Sequence, residues 1–264
     1  MQPLPKTIAN SLIQELVEKV SRSRYFLEED FAWHQMVRKA RPLQSERRYQ
    51  WDGVMGLLYT YVMRFDEAEA CLRNSLALHG SDVPVLNLMQ GLIEAGRFVK
   101  AQEHFSSYGR PNRGSFTILL PLALECCAFR VLSSYIDEAE KMNLEIPDIH
   151  TPLRSVIRLL DQHGISDQDI AAHMEAAAEV LRRRRIRVVL KRSLAGSEQA
   201  PELFTICFVA PLEPAEIFKM NIELAELEDE LQIKKSLVFD VAFVQANQSD
   251  VYTDGSAVSF AEEE

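Results

Sequence analysis

Apolar side chains recur at helical spacing through the first two-thirds of the chain. In one such stretch, residues 6–22, this spacing predicts an amphipathic helix. The same spacing predicts helices at about 27–40, 44–62 and 151–163. A further helix is predicted from Ser166, whose hydroxyl is a favourable N-cap and is followed by acidic residues in the first turn. The pattern therefore predicts a mainly helical N-terminal part.

A 33-residue repeat runs through the middle of this helical region. Phe65 and Phe98 are 33 residues apart, and so are Ala68 and Ala101; a third copy is expected at Val131. Two antiparallel helices approach closely only where a small side chain lies at their crossing, and a nearby aromatic ring fills the gap to the next pair. No single pair can bury its apolar face, so the repeat predicts helical hairpins stacked side by side.

These positions resemble the tetratricopeptide repeat family over roughly residues 48–142. The residues that fit the two clearer copies are Gly56, Tyr59 and Ala68, then Leu88, Gly96, Ala101 and Phe105. The chain departs from the family at three positions, an early Trp, a late Ala and a closing Pro. The first copy has Asp52, Ser75 and Gly80 there, and the second has Val85, Tyr108 and Arg113. The resemblance implies an α-hairpin solenoid, and an irregular helical bundle stays open as the alternative.

The family resemblance also implies where a partner would bind. Partners of such repeats usually lie in the concave groove formed by the first helix of each hairpin. Carried over by position, the polar residues on those faces are Gln50, Thr60, Gln90 and Glu94. They are candidate groove residues for another protein or peptide, with plain solvent exposure as the alternative.

After Leu181 the period of the pattern changes from that of a helix to that of a strand. Alternating apolar residues predict a first strand over 186–190, a loop over 195–201 and a second strand over 204–208. A long helix follows from Pro214, and a third strand lies over 237–243. The apolar positions expected on that helix are Ile217, Met220, Leu224, Leu227 and Leu231.

This order of elements is a small ββαβ unit, so the fold class is mainly α with an α+β unit at its end. The domain division predicted is a helical repeat domain at 1–184, the ββαβ domain at 185–246 and an acidic disordered tail at 247–264. Three strands and one helix make a marginal core. We therefore expect the sheet to dock on the helices or to pair with a second copy of the chain.

The net charge is −10, yet the stretch from Arg182 to Arg192 holds seven basic residues and no acid. The basic patch consists of Arg182, Arg183, Arg184, Arg185 and Arg187. It could anchor phosphate or an acidic partner, complement the dipole of a helix C-terminus, or pair with the chain's own acidic helix around 223–230. Nucleic-acid binding through this patch is the alternative function.

Other chemistry is weakly represented in the sequence. The four cysteines show no paired spacing, and the Cys126–Cys127 doublet in an apolar run predicts buried thiols. The six histidines do not cluster, and neither a glycine-rich phosphate loop nor a GxSxG motif occurs. We therefore assign no catalytic residue, metal or cofactor.

The chain also has no run of 18 apolar residues and no signal-peptide core, which predicts a cytoplasmic protein without a membrane segment. The function expected is a non-enzymatic protein–protein interaction scaffold, such as an adaptor, a chaperone-like holder or a subunit of a complex. The ββαβ unit would provide a second docking surface or a site of self-association.

Overall fold

The computed structural model describes residues 11–12, 15–16, 24–79, 82–108, 116–144, 150–197 and 200–246. The predicted helix at 6–22 lies outside this part of the chain except for four residues, and the predicted acidic tail at 247–264 lies outside it entirely. The described chain is mainly helical with a small sheet at its C-terminal end, as the sequence predicts.

The first helices in chain order are α1 (Phe31–Ala40), α2 (Pro42–Glu46), α3 (Arg48–Tyr61), α4 (Phe65–Leu78), α5 (Asp82–Glu94) and α6 (Phe98–Ser107). They are followed by α7 (Phe116–Glu125), α8 (Phe129–Lys141), α9 (His150–Gln162) and α10 (Asp167–Arg183). The sheet region consists of β1 (Leu190–Ser197), β2 (Ala200–Ala210), α11 (Pro214–Glu230) and β3 (Phe239–Gln245).

The chain forms two compact units, Met1–Ala95 and Gly96–Glu264. The division falls within the predicted repeat region and not at the expected boundary of 184/185. The reason is that the sheet packs on helices of the second unit. The ring of Phe98 meets Phe208 edge-on at 6.3 Å, and Phe129 meets Phe204 at 5.5 Å. The expected docking of the sheet on helices is therefore confirmed within the second unit.

In the first unit, α3, α4 and α5 pack through small residues. Leu72 on α4 is 1% exposed, and it lies between glycines on both neighbouring helices. A Cβ added to Gly56 on α3 would lie 2.5 Å from Leu72 Cγ, and one added to Gly91 on α5 would lie 2.4 Å from Leu72 Cδ1. Ala68 is also buried, at 3% exposure. Small side chains thus allow these three helices to approach closely.

Three helices of the described chain begin with a similar backbone conformation. Phe65, Phe98 and Phe129 each open a helix, and the residue before each has φ between −78° and −97° and ψ between 61° and 64°. The third of these helices begins at Phe129, two residues before the Val131 at which the expected 33-residue step from Phe98 ends. Gly96, just before α6, has φ 65°, in the left-handed region in which helices commonly end.

The sheet has the order β1-β2-β3. β1 and β2 are antiparallel, and β2 and β3 are parallel with α11 as the connection between them. The expected strand at 186–190 instead begins at Leu190, and the expected loop at 195–201 is largely strand. The cause is the pairing of β1 with the long strand β2, which extends the ladder to Ala195↔Leu203 and Ser197↔Ala200.

Helix α11 buries a different row of residues from the one expected at its C-terminal end. Ile217, Met220 and Leu224 are buried as predicted, but Leu231 is 57% exposed and Glu228 is buried in its place at 7%. A straight helix has 3.6 residues per turn, so a row that starts at Ile217 drifts onto position 228. A carboxylate therefore enters the interior of the second unit.

Candidate protein-interaction surfaces

Two of the four candidate groove residues are buried and bonded within the first unit. Thr60 is 1% exposed, and its hydroxyl donates to the Gly56 carbonyl at 3.0 Å. Glu94 is 9% exposed and accepts from the hydroxyl of Tyr61 at 3.3 Å and from the amide of Gln90 at 3.2 Å. Thr60 and Glu94 thus make hydrogen bonds to other residues of the first unit.

Gln50 and Gln90 are half-buried and keep part of their surface accessible. The side-chain amide of Gln50 donates to the hydroxyl of Tyr49 at 3.1 Å. Its Oε1 atom is buried and has no hydrogen-bond partner within the described residues. These two glutamines are the part of the predicted set that a partner can still reach.

The centre of the basic patch pairs with the acidic helix α11. Nη1 of Arg183 donates to Oε1 of Glu223 at 2.7 Å. Nη1 of Arg184 lies 2.7 Å from Oε2 of the same carboxylate. Burial, the largest influence, raises the pKa of Glu223, but the hydrogen bonds and charges of the two arginines lower it overall. The structure therefore brings together the arginine run and the acidic helix, one of the three alternatives that the sequence left open.

The remaining arginines of the patch have separate environments. Arg182 donates to Glu179 one turn earlier on α10 at 2.8 Å, and Arg183 also contacts Glu179. Arg185 lies just after the end of α10 with φ 56°, and Arg187 is half-buried before β1. The patch is thus a helix terminus whose charges are shared among nearby carboxylates.

Helix α10 holds the N-termini of α6 and α8 through two of its carboxylates. Glu175 accepts from the backbone N–H of Val99 at 2.9 Å, and Asp167 accepts from the backbone N–H of Arg130 at 3.0 Å. Val99 and Arg130 each occupy the second position of their helix. Burial raises the pKa of Glu175 and of Asp167, although the hydrogen bonds they accept act in the opposite direction.

A buried ion pair joins α10 to α11. Nδ1 of His173 lies 2.6 Å from Oε1 of Glu228, and Nε2 lies 3.1 Å from the carbonyl oxygen of Lys234. Both ring nitrogens therefore face acceptors, which a doubly protonated imidazolium satisfies. Burial, the largest influence, lowers the pKa of His173, but Glu228 and the Lys234 carbonyl raise it overall.

The sequence analysis missed this pair, since the two residues are 55 positions apart. A signal was nonetheless present. His173 belongs to the apolar row that contains Ile170, Met174 and Ala177, and a polar residue in such a row needs a partner. What the sequence cannot supply is the identity of that partner.

The cysteine doublet is buried, as predicted. Cys126 and Cys127 are both 0% exposed, and burial raises the pKa of both thiols, well above the ordinary value for Cys126. The described residues contain no group of three or more His, Cys, Asp or Glu side chains placed to hold a metal ion. No helix of the described part combines the length and apolar character needed to span a bilayer.

Comparison of the chain with protein-family models, with curated proteins and with solved structures gives no match.

Proposed function

We propose that the chain is a non-enzymatic scaffold that holds another protein or a peptide, built on hairpins of the tetratricopeptide type. The ββαβ region would supply a second contact. The observation that supports this proposal is that α6 and α8, the second helices of two successive predicted hairpins, both begin against α10 and are joined by a hydrogen bond from Tyr135 to Phe105. A stack of such hairpins would leave an extended surface that a partner can follow.

The two helices are linked through α10 at their N-termini and by one hydrogen bond further along. At their N-termini, Glu175 and Asp167 bond equivalent backbone positions from one straight helix. These carboxylates are eight residues apart on α10, or about 12 Å along its axis at 1.5 Å per residue. Toward the C-termini, the hydroxyl of Tyr135 on α8 donates to the carbonyl of Phe105 on α6 at 3.0 Å.

The close packing of α3, α4 and α5 around Leu72 supports the same proposal for the first unit. The half-buried Gln50 and Gln90 are the groove residues assigned to partner contact.

The experiment is affinity purification of the tagged chain from its own cells, followed by identification of proteins recovered at a constant ratio to it. The paired variant Gln50→Arg with Gln90→Arg should lose such a partner. Gln44→Arg on α2 is the control, because Gln44 is exposed and this change places an arginine outside the candidate groove. Equal recovery with the groove variant and with wild type would contradict the assignment of the groove.

Nucleic-acid binding through the basic patch remains the alternative function. The pairing of Arg183 and Arg184 with Glu223 favours an internal role for these charges. A gel-shift titration at low and high salt separates the two, because phosphate contacts weaken steeply as salt rises. Salt-sensitive binding that Arg183→Glu with Arg184→Glu abolishes would support the alternative.

A further inference from the structure

Helix α11 has two apolar faces, and the second unit covers only one of them. The covered face carries Ile217, Met220 and Leu224. On the other side, the residues exposed at 3-4-3 spacing are Ala215, Phe218, Ile222 and Ala225. We call these four residues the outer stripe. Their spacing is that of the narrow seam along which two helices pack in a coiled coil.

Phe218 is the main feature of the outer stripe. Its side chain is 67% exposed, and that of Ile222, one turn later, is 46% exposed. Removal of a large apolar side chain from water stabilises a contact. The flanking alanines are small enough for a second helix backbone to come close. The stripe therefore has the shape of a helix-binding seam with one aromatic anchor.

The charges beside the outer stripe select the kind of helix that it fits. Glu226 and Glu230 are exposed, lie one turn apart, and have no ion-pair partner among the described residues. Near the other end, Lys219 already pairs with Glu216 at 2.6 Å. The uncompensated charge along the stripe is therefore negative.

We infer that the outer stripe of α11 binds a basic amphipathic helix of a partner protein. The partner would place an apolar row against Phe218 and Ile222 and would set Lys or Arg side chains opposite Glu226 and Glu230. This inference rests on the proposed scaffold function and gives the chemistry of its second contact. It does not depend on the candidate groove at Gln50 and Gln90.

A second copy of the chain is the less favourable occupant. The chain carries a net charge of −10, so pairing two copies through their acidic helices brings like charges together. A seam of four residues, two of them alanine, also buries far less than the roughly 1,200–2,000 Å² of a stable interface between two proteins. The acidic residues beside the outer stripe attract a basic helix, whereas they repel the same residues of a second copy.

The test is fluorescence anisotropy of a labelled helical peptide of leucine and lysine, with leucine at 3-4 spacing, titrated with the full chain. A peptide with glutamate in place of lysine is the charge control. The Leu/Lys peptide should bind and the Leu/Glu peptide should not. Phe218→Ala should weaken binding about ten-fold or more. Phe31→Ala on α1, where Phe31 is 80% exposed, should have no effect.

A second pair of variants separates local from general charge effects. Glu226→Lys with Glu230→Lys should weaken binding of the Leu/Lys peptide strongly. Glu46→Lys with Glu103→Lys changes the net charge by the same amount at two exposed sites elsewhere and should have little effect. All the altered side chains lie at the surface, and circular dichroism checks that each variant keeps its helix content.

Three outcomes would overturn the inference. Equal binding by Phe218→Ala and wild type would show that the stripe is not the contact. If the two double-lysine variants lost peptide affinity equally, the binding would be explained by general attraction of a basic peptide to an acidic chain. A wild-type dimer in sedimentation equilibrium that Phe218→Ala converts to a monomer would make a second copy the occupant. None of these results bears on the test with Gln50→Arg and Gln90→Arg. The inference about the outer stripe and the assignment of the groove can therefore fail separately.

Discussion

Two glycines at the residue scale have the same backbone conformation and different surroundings. Gly96 has φ 65° and Gly164 has φ 64°, in the left-handed region that glycine enters without strain. A Cβ at Gly96 would lie 2.3 Å from the Cβ of Ala178, whereas a Cβ at Gly164 would meet nothing within 4 Å. The first glycine is therefore required by packing as well as by the turn.

This contrast predicts a matched pair of stability changes. Gly164→Ala should cost about 1 kcal/mol, the strain of a side chain in a left-handed turn. Gly96→Ala should cost about 3 kcal/mol or more, because the clash with Ala178 adds to the same strain. Urea unfolding of the two variants measures both, and equal costs would show that α10 does not press on this turn.

The buried His173–Glu228 pair predicts a pH dependence of stability. Because the pKa of His173 is raised in the folded state, its contribution is fully present below about pH 6.5, the ordinary histidine value. It is lost as pH rises through the raised value. The free-energy gap between wild type and His173→Gln should therefore shrink as pH rises, measured by urea unfolding across the range.

The variant His173→Gln serves as the reference because the nearby Asp240 also titrates with a raised pKa, chiefly through its burial. Asp240 is present in both proteins, so its effect cancels to first order in the difference. Parallel stability curves for the two proteins would mean that His173 is neutral in the folded state.

At the scale of elements, helix α10 provides hydrogen-bond acceptors for backbone N–H groups of two other helices. The N-cap residues Arg97 and Ala128 provide no side-chain cap to α6 and α8. Carboxylates from α10 accept the N–H groups of Val99 and Arg130 in their place. The start of each helix thus depends on a residue distant in sequence, which ties the formation of α6 and α8 to the docking of α10.

Removal of one of these carboxylates should destabilise the second unit. Glu175→Ala leaves the Val99 N–H without its acceptor and should cost about 1–2 kcal/mol. Glu179→Ala, one turn later on the same helix, removes a part-buried pair with Arg182 and an exposed pair with Arg183, and no backbone N–H loses its acceptor; it should cost less than about 1 kcal/mol. Thermal unfolding compares them, and equal effects would rule out a capping role for Glu175.

The free edge of β3 is closed by a side chain that imitates a strand. Asn221 on α11 donates to the Phe243 carbonyl at 3.1 Å and accepts from its N–H at 2.8 Å. The amide thus supplies both the donor and the acceptor that a neighbouring strand would offer. Unpaired edges invite association with other chains, so this contact protects the sheet.

The dual role of Asn221 predicts that Asn221→Asp is as harmful as Asn221→Ala at neutral pH. An ionised aspartate keeps the acceptor but sets a negative oxygen against the Phe243 carbonyl, at a cost of about 1–3 kcal/mol. The loss should diminish in acid, where the protonated carboxyl can donate. Unfolding curves at neutral and acidic pH test this, and full stability of Asn221→Asp at pH 7 would contradict it.

At the scale of the whole molecule, the sheet completes the core of the second unit. Phe98 and Phe129 are at most 1% exposed, and each packs edge-on against a phenylalanine of β2. Burial of side chains of this size contributes about 1.5–3 kcal/mol each. The helices that carry Phe98 and Phe129 therefore share a buried core with strand β2.

A chain that ends at Arg184 should consequently lose structure upstream of the cut. We expect amide protection to fall across 96–184, because Phe98 and Phe129 would face water, while 24–79 keeps its protection. Hydrogen exchange with mass spectrometry resolves the two regions. Retained protection across 96–184 would restore the division into a helical domain and a separate ββαβ domain.

The sequence by itself determined the local structure of this protein. Helix periods, the Ser166 cap with its Asp169 partner and the burial of the cysteine doublet all depend on residues close together in the chain. Such features follow from short-range sterics and hydrogen bonding, which a pattern records directly. The tetratricopeptide resemblance stays a prediction.

Only the tertiary structure decided which distant groups meet. His173 and Glu228 are 55 residues apart, and Val99 and Glu175 are 76 apart, so no local pattern pairs them. The burial of Thr60 and the place of the unit boundary likewise depend on which helix faces come together. A side chain's environment is set by the neighbours that packing brings to it, and in this chain those neighbours come from other elements.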